Sequence, residues 1–410
     1  MTLKENTVLN KGFMTVRHLI MDGTNLEIGK TLAEIAMNRH NFSKDKIKCS
    51  NPVIAGARKE YYARNYPVHA ERAKGVAKAL NVEYTDNEYD TTSIQYNQEM
   101  PMPLGCSTVY YPPGTTTDKA GYISRNFDFP TGSLPEIMGI PIPPQVQNQV
   151  RPLMADPYII ESYPDEGFSS VCLTSFDVLS GVLEGVNSCG VMVAINGDET
   201  APIDPVQMGN IDRVGLHELQ AMRLILDTCA TAKEAKTTLL THKHYYNFMP
   251  CHYIIADLNS CFVFEVDHSR NAEYIVPGGD TPMVLTNHLL YMYPTVETMP
   301  QETDFLKAGT SSFQRFKKLA LTLNDTPSPY STDFMKKLNA SVSVSQVVSW
   351  IPEEQRRQLI EQPGLSRTLW HNLINNKTKT MDIKFYTGEE YTKGSLTEKY
   401  ADYMQIALKC

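Results

Sequence analysis

The hydrophobic pattern of the chain changes abruptly near residue 105. Before that point apolar side chains recur at helical spacing, most clearly in residues 25–40 and 67–80, so we predict that residues 1–105 are helical. From residue 106 onward, short runs rich in β-branched and aromatic residues predict a series of strands. Helical patterns return only in blocks, at residues 214–241 and 311–323. This order is typical of a layered α+β protein rather than of a regular βαβ repeat.

Composition limits the class of protein. The chain has 410 residues, a net charge of −8 and 42% hydrophobic residues, which argues against a nucleic-acid-binding protein or a basic protein of the membrane surface. It has no apolar run of about 18 residues, so no membrane-spanning helix is predicted, and its first residues lack the apolar core of a secretory signal. The eight cysteines form no CxxC pair and are too sparse for a disulfide scaffold. We therefore expect a cytoplasmic protein with reduced cysteines.

Two motifs suggest other chemistries and fit them poorly. Residues 23–31 resemble a phosphate-binding loop, but five residues separate Gly23 from the Gly-Lys pair, whereas that loop has four. The spacing favours instead a helix that is preceded by a glycine. A metal site is suggested by three histidines and a cysteine: His242, His244, Cys251 and His252. The last two are adjacent, so on a strand they point to opposite faces. We therefore expect no metal, and no cofactor of any kind.

The clearest catalytic pattern lies on two predicted strands joined by a turn. Cys106 follows Gly105 at the start of the first strand, and Arg125 and Asp128 lie on the second. A hairpin returns both side chains beside Cys106, where a cation favours the thiolate that makes a cysteine a good nucleophile. We expect Arg125 to hold Asp128, and Asp128 to orient an amine or thiol. From these residues alone, a buried structural cysteine beside a cross-strand ion pair is an equal alternative.

Seven motifs in a fixed order carry a resemblance to one family. They are Gly23-x-x-x-Glu27-Ile28-Gly29, Leu104-Gly105-Cys106, Arg125-Asn126-Phe127-Asp128, Gly185-Val186-Asn187-Ser188-Cys189-Gly190 with the strand that ends at Asn196, Thr286-Asn287-His288, Ser311-Ser312-Phe313-Gln314-Arg315-Phe316, and Thr368-Leu369-Trp370. With these motifs the chain resembles the cysteine N-terminal-nucleophile hydrolases of the choloylglycine hydrolase and penicillin V acylase superfamily. It is most similar to their acyl-coenzyme A:6-aminopenicillanic acid acyltransferase branch.

The resemblance implies a fold and a maturation step. The fold is a four-layer αββα sandwich, an α+β architecture. The chain is expected to cut itself between Gly105 and Cys106, so that residues 1–105 become a helical α-chain that stays packed on the catalytic core of residues 106–410. The cut frees the α-amine of Cys106, and an α-amine with a pKa of about 7.7–8.0 is suited to act as a base near pH 8.

The resemblance also implies which residues form the site. The predicted catalytic residues are Cys106, Arg125, Asp128, Asn196, Asn287 and Arg315. Cys106 is the nucleophile and, through its amine, the base. The backbone N–H of Asn196 and the side-chain amide of Asn287 are expected to form the oxyanion hole. Arg315 supports the site with its positive charge. From the residues alone, a strand-end or turn role is the favoured alternative for both asparagines.

We predict from this pattern a hydrolase or acyltransferase that acts, through a cysteine thioester, on the amide bond of a small linear N-acyl compound. Residues 131–165, rich in proline and glycine, are predicted to form a long loop over the site. An apolar acyl pocket, or else ordinary core, is predicted for five aromatic residues: Tyr245, Tyr246, Phe248, Tyr291 and Tyr293.

The predicted partners are small molecules. They are the amide substrate and, where the enzyme transfers the acyl group, an acyl-CoA or amine acceptor. Neither nucleic acid nor membrane is expected as a partner, and homo-oligomerisation is left open. The alternative from another class is a non-catalytic protein of the same fold that binds a small amide, and a nucleotide-hydrolysing enzyme is a distant third.

Overall fold

The computed structural model of the chain describes residues 1–96, 105–147, 150–200, 213–247, 250–267, 269–270, 272–302, 304, 307, 309–360, 365–392 and 394–409. The strands are β1 (Thr2–Lys11), β2 (Met14–Gly23), β3 (Gly105–Tyr111), β4 (Tyr122–Pro130), β5 (Tyr158–Pro164), β6 (Ser170–Thr174), β7 (Val182–Asn187), β8 (Met192–Gly197), β9 (Cys251–Ala256), β10 (Cys261–Asp267), β11 (Ala272–Pro277), β12 (Met283–Leu285), β13 (Ser366–Asn375), β14 (Thr380–Thr392), β15 (Ser395–Tyr400) and β16 (Met404–Ala407). The helices are α1 (Asn25–His40), α2 (Pro52–Asn65), α3 (Pro67–Ala79), α4 (Leu134–Ile137), α5 (Glu218–Thr228), α6 (Ala232–Thr241), α7 (Thr310–Asp325), α8 (Thr332–Ala340), α9 (Val344–Ser349) and α10 (Glu353–Ile360).

The strands form two sheets. The first sheet has the order β1-β2-β5-β6-β7-β8-β9-β10-β11, and its neighbours are antiparallel except for the parallel pair β2 and β5. The second has the order β12-β3-β4-β13-β14-β15, with β16 paired to β14. The central strands β4, β6, β7, β8 and β9 are buried along their whole length. Burial on both faces identifies these strands as parts of inner layers.

The two sheets pack face to face between two layers of helices. Strands β3 and β4 contact β8, and β13 contacts β7, so the sheets meet at the centre. Helices α1, α5 and α6 cover the first sheet, and α7, α8 and α9 cover the second. The order from outside to outside is therefore helix, sheet, sheet, helix, which confirms the predicted αββα sandwich.

The N-terminal segment differs from its prediction. Residues 25–79 are largely helical as expected, but residues 2–23 form the antiparallel hairpin of β1 and β2. The first strand is an edge strand with Leu9 as its one buried residue, so it lacks the apolar alternation that identifies a strand in a sequence. Because β2 pairs with β5, residues 1–105 contribute to the same sheet as the core and are not a separate layer.

Helices α1 and α3 cross at very short range. A Cβ atom added at Gly29 would lie 2.0 Å from the carbonyl oxygen of Arg72, and one added at Gly75 would lie 2.0 Å from that of Leu26. Each glycine therefore faces the backbone of the other helix. The Gly-containing motif at residues 23–29, which resembles the family's first motif, has a packing role in this structure.

Candidate active site

Cys106 begins the buried part of β3 at the centre of the molecule. In the hairpin register Cys106 lies opposite Phe127, and Gly105 lies opposite Asp128. A Cβ atom at Gly105 would approach Asp128 Oδ2 to 2.7 Å. The bond predicted to be cut is therefore pressed against the Asp128 carboxyl, and only glycine leaves room for that contact. Leu104, the first residue of the cleavage motif, lies outside the described residues.

The Cys106 thiol is enclosed and lies beside a cation. Cys106 is 1% exposed, and Arg125 Nη2 donates to its sulfur at 3.3 Å. Burial raises the pKa of the Cys106 thiol, and the positive charges of Arg125 and Arg315 and the Gly197 N–H offset that rise only in part. In the uncut chain the sulfur is therefore a protonated thiol that needs a base before it can attack.

Arg125 is held by an acid that the sequence analysis missed. Its Nη1 lies 3.2 Å from Glu184 Oε2, and the other oxygen of Glu184 accepts from Trp370 Nε1 at 2.8 Å. We expected Arg125 to hold Asp128, but the hairpin puts Arg125 on the face that contacts the first sheet, and successive residues of a strand alternate between faces. A charged residue within the apolar run GVLEGVN was the signal that could have found Glu184.

Asp128 takes its hydrogen bond from the C-terminal motif. Thr368 Oγ1 donates to Asp128 Oδ1 at 2.6 Å. Burial raises the pKa of the Asp128 carboxyl to about 7, against the opposing effects of Arg315 and the Thr368 hydroxyl. Near neutral pH this carboxyl therefore exchanges its proton easily, directly beside the predicted scissile bond.

Asn287 is in contact with the backbone of the predicted nucleophile. Its Oδ1 accepts from the backbone N–H of Cys106 at 2.8 Å and from Arg315 Nη2 at 2.7 Å. Its Nδ2 donates to the Gly197 carbonyl at 2.7 Å. Within the described residues Gly197 is the one acceptor of this amide, so the second amide hydrogen is left for a ligand.

The Asn196 side chain is engaged inside the protein. Its Oδ1 accepts from Thr108 Oγ1 at 2.9 Å and from Arg125 Nε at 3.4 Å, and its Nδ2 donates to the carbonyls of Leu285 and Thr286. The side chain therefore ties β8 to β3 and β12. The predicted donor, its backbone N–H, lies on β8 next to Gly197, whose N–H bonds to the Cys106 sulfur.

Arg315 reaches the site from α7. Its guanidinium donates to the Cys106 carbonyl and, at 2.9 Å, to Ser107 Oγ, in addition to its bond to Asn287. Glu199, a second acid not singled out in the sequence, has its Oε1 3.6 Å from Arg315 Nη2. All six predicted site residues are at most 2% exposed. Hydrogen bonds join five of them, Cys106, Arg125, Asn196, Asn287 and Arg315. Asp128 lies opposite Gly105 and interacts with the charge of Arg315.

Two predicted features of a substrate pocket are not found as expected. The predicted loop at residues 131–165 includes α4, and its last residues form β5 inside the first sheet. Four of the predicted aromatic residues pack against different partners: the Tyr245 ring lies 6.2 Å from the His217 ring, the Tyr246 hydroxyl donates to the Cys251 carbonyl at 3.2 Å, Tyr291 stacks on Tyr274 at 3.7 Å, and Tyr293 packs on Phe313. Phe248 lies outside the described residues.

The residues of the two rejected motifs have structural contacts. Thr24 forms a capping box with Glu27 at the start of α1. His242 and His244 contact the carbonyls of Thr238 and Leu239, and His252 Nδ1 lies 2.9 Å from Glu265 Oε1. The part of the chain that the structure describes contains no group of three metal-ligating side chains, and none of its helices is long and apolar enough to cross a membrane.

A model of the acyl-coenzyme A:6-aminopenicillanic acid acyltransferase family matches residues 115–384, which is more than half of the chain. The chain belongs to this family. Membership confirms the resemblance found in the sequence, and it makes the protein an enzyme that acts on amide C–N bonds, as a hydrolase or as an acyltransferase. The matched region of this acyltransferase-family protein contains Arg125 through Arg315, while Cys106 lies just before it.

Solved structures similar to this acyltransferase-family protein are distant. A mutant conjugated bile acid hydrolase from Clostridium perfringens has 10% identity and a TM-score of 0.44, covering 73% of this chain and 97% of that one. Penicillin V acylase from Agrobacterium tumefaciens has 16% identity and a TM-score of 0.41, covering 68% and 82%. The Caenorhabditis elegans ortholog of N-acylethanolamine-hydrolyzing acid amidase has 15% identity and a TM-score of 0.40, covering 66% and 93%. No curated protein sequence matches the chain significantly.

Proposed function

We propose that this protein activates itself by cutting the Gly105–Cys106 bond and then acts on small linear N-acyl amides through a thioester on Cys106. One observation carries the proposal. The backbone nitrogen of Cys106, and not only its thiol, is held in the site, since Asn287 Oδ1 accepts from it at 2.8 Å. A nitrogen held in this way is ready to serve as the base once the cut has turned it into an amine.

The maturation step is an N-to-S acyl shift. The Cys106 thiol attacks the Gly105 carbonyl carbon, the C–N bond breaks as the nitrogen takes up a proton, and a thioester forms. Water then cleaves the thioester, leaving the Gly105 carboxylate, the free thiol and the α-amine of Cys106. Asp128, whose carboxyl lies against Gly105 and has a pKa of about 7, is suited to pass the proton to the nitrogen.

Turnover repeats the same chemistry on a substrate. The α-amine accepts the thiol proton, and the thiolate attacks the amide carbonyl carbon. The free amide hydrogen of Asn287 and the backbone N–H of Asn196 stabilise the tetrahedral oxyanion. The Cys106 ammonium then protonates the leaving nitrogen. Water completes a hydrolase cycle, whereas an amine that attacks the thioester completes an acyltransferase cycle.

The enclosure of the site supports a small substrate. Cys106, Arg125 and Asn287 are each at most 1% exposed, between two sheets, where no folded polypeptide can lie. A panel of N-acyl amino acids, phenylacetyl and phenoxyacetyl amides, bile-acid conjugates and β-alanyl amides tests this class. Turnover of casein with none on that panel would overturn the small-amide proposal.

Mass spectrometry tests the self-cleavage. Purified protein should give two chains, residues 1–105 and 106–410, that co-elute because β2 remains paired with β5. The variant Cys106→Ala should remain one folded chain without amidase activity. The matched control is Cys189→Ala, which removes an exposed thiol and should be processed normally. An uncut chain with full amidase activity would contradict the mechanism.

A further inference from the structure

Three of the acids around the site, Glu184, Asp128 and Glu199, differ in what binds their oxygens. Glu184 is bound by Arg125 and Trp370, and Asp128 is bound by Thr368. For Glu199, no N–H or O–H group among the described residues donates a hydrogen bond to the carboxylate. Its closest cation is Arg315 at 3.6 Å, which is too long for a hydrogen bond. An ionised carboxylate offers about four acceptor positions, so Glu199 has acceptors left for a ligand.

Glu199 is also the least buried of the charged groups named at the site, although most of its side chain is covered. Its side chain is 15% exposed, whereas that of Arg315 is 2% exposed. The Glu199 carboxylate is therefore more exposed to solvent than either guanidinium. Asp128 and Glu184 are buried, so Glu199 is the one of these three acids with a partly exposed carboxylate.

Glu199 lies on the side of the site where the proposed reaction places the leaving amine of the substrate. The proton for the leaving nitrogen comes from the Cys106 amine, so the amine part of the substrate must lie beside that nitrogen. Asn287 Oδ1 joins the Cys106 nitrogen to Arg315 Nη2, with bonds of 2.8 and 2.7 Å. Glu199 Oε1 lies 3.6 Å from the same Arg315 Nη2, and the Glu199 backbone N–H donates to the Asn287 carbonyl at 2.8 Å.

The charged side chains around Cys106 leave no unpaired guanidinium for an anionic leaving group. Arg125 is neutralised by Glu184. Arg315 faces two acids, since both Asp128 and Glu199 interact with its charge. When both acids are ionised, these five side chains carry one more negative than positive charge, which offsets the charge of the Cys106 ammonium. A carboxylate or sulfonate beside Glu199 would be repelled by its carboxylate, whereas an ammonium there would be attracted.

We propose that Glu199 determines substrate specificity, and that the preferred substrates are N-acylated short diamines whose second amino group is protonated and binds the Glu199 carboxylate. This inference rests on the proposed amidase function. It adds the class of amine that leaves, which neither the nucleophile nor the oxyanion hole determines.

A matched pair of amides tests the proposal on the mature enzyme. N-phenylacetyl-ethylenediamine and N-phenylacetyl-β-alanine share the acyl group and the two-carbon spacer, and they differ in the terminal ammonium or carboxylate. Wild-type kcat/KM should favour the cationic amide by about tenfold or more. Glu199→Gln should lower that ratio by about 10–100-fold, the effect of losing a charged hydrogen-bond partner. A wild-type preference for the anionic amide, or an unchanged ratio in the variant, would overturn the proposal.

A control variant and a pH series separate specificity from structure. Glu273→Gln removes the same charge from an exposed position on β11 and should leave the ratio unchanged. Burial raises the pKa of the Glu199 carboxyl to about 7, opposed by Arg315 and reinforced by Asp198. The wild-type ratio of the two kcat/KM values should therefore rise between about pH 6 and 8. The same ratio measured for Glu199→Gln over this range contains the titration of Asp128 but not that of Glu199, so subtracting it isolates the effect of Glu199. If the enzyme turned over neither amide and no member of the panel, the amidase function itself would be refuted. If it turned over the amides but the ratio did not change with pH or in Glu199→Gln, only the role of Glu199 would be refuted.

Discussion

At the predicted cleavage site, residue 105 has no space for a side chain. The Cβ of an alanine would lie 2.7 Å from Asp128 Oδ2 and 2.8 Å from Asp128 Cβ. Overpacking of this kind costs about 1–3 kcal/mol, so Gly105→Ala should slow self-cleavage by about 10–100-fold. A time course of the two chains on a denaturing gel measures this rate. Gly114→Ala is the control, since no atom lies within 4 Å of its added Cβ. If both variants were cut at the wild-type rate, the contact with Asp128 would not be the reason that residue 105 is a glycine.

Asn287 should be important for both rate and stability. Its side chain makes buried hydrogen bonds with the Cys106 N–H, the Arg315 guanidinium and the Gly197 carbonyl. Asn287→Ala should lower kcat by ~10²–10³, the usual effect of losing an oxyanion donor, and should also lower the free energy of unfolding.

The two effects are separated by a second buried asparagine. Asn187 donates to the carbonyls of Leu226 and Cys229 and does not contact Cys106 within the described part of the chain. Asn187→Ala should lose stability while its folded fraction keeps the wild-type kcat. Equal kcat values for the two folded variants would return Asn287 to a structural role.

At the scale of elements, the crossing of α1 and α3 depends on two glycines. Gly29→Ala puts a methyl group 2.0 Å from the Arg72 carbonyl oxygen, a backbone atom that cannot move without the whole helix. We expect a loss of at least about 1–3 kcal/mol, read as a lower denaturation midpoint in urea. In the control Gly56→Ala, the nearest atom is the end of the Asn87 side chain, so the higher helix propensity of alanine should make the variant neutral or more stable. Equal midpoints for the two variants would contradict the close crossing.

The hairpin of β3 and β4 could be predicted because the residues that form it lie close together in the sequence. The turn between the two strands sets the register, and the alternation of a strand then places Cys106 and Arg125 on one face. The same alternation puts Asp128 on the other face, which explains why the expected Arg125–Asp128 pair does not form. The edge strand β1 was not predictable, since an exposed polar strand carries no period-two apolar pattern.

At the scale of the whole molecule, the buried acids set a pH dependence of stability. The Asp128 carboxyl has a pKa of about 7 in the folded chain because of burial, against about 3.9 in an unfolded chain. Between these values the folded chain binds more protons than the unfolded one, so this group makes the protein less stable as pH rises from about 4 to 7.

Replacing the carboxyl should remove that slope. In a Cys106→Ala background, which keeps the chain intact, Asp128→Asn should gain stability relative to its parent as pH rises from about 4 to 7. Urea denaturation at each pH gives the difference in unfolding free energy. Asp402→Asn, an exposed position, is the control and should run parallel to the parent. A difference for Asp128→Asn that does not change with pH would contradict the raised pKa of Asp128.

The amino-acid sequence by itself determined the family, the layered fold class and the hairpin that carries Cys106 and Arg125. These depend on short motifs and on the period of apolar residues, which act over a few neighbouring positions. Tertiary structure alone decided which distant groups complete the site: Asn287 contacts a residue 181 positions away, and Arg315 contacts one 209 positions away. It also decided that Glu184 binds Arg125, while Glu199 lies 3.6 Å from Arg315. The reason is that the period of apolar residues predicts which face of a strand a residue occupies. The pairing of the strands and the packing of the two sheets determine which residues that face contacts.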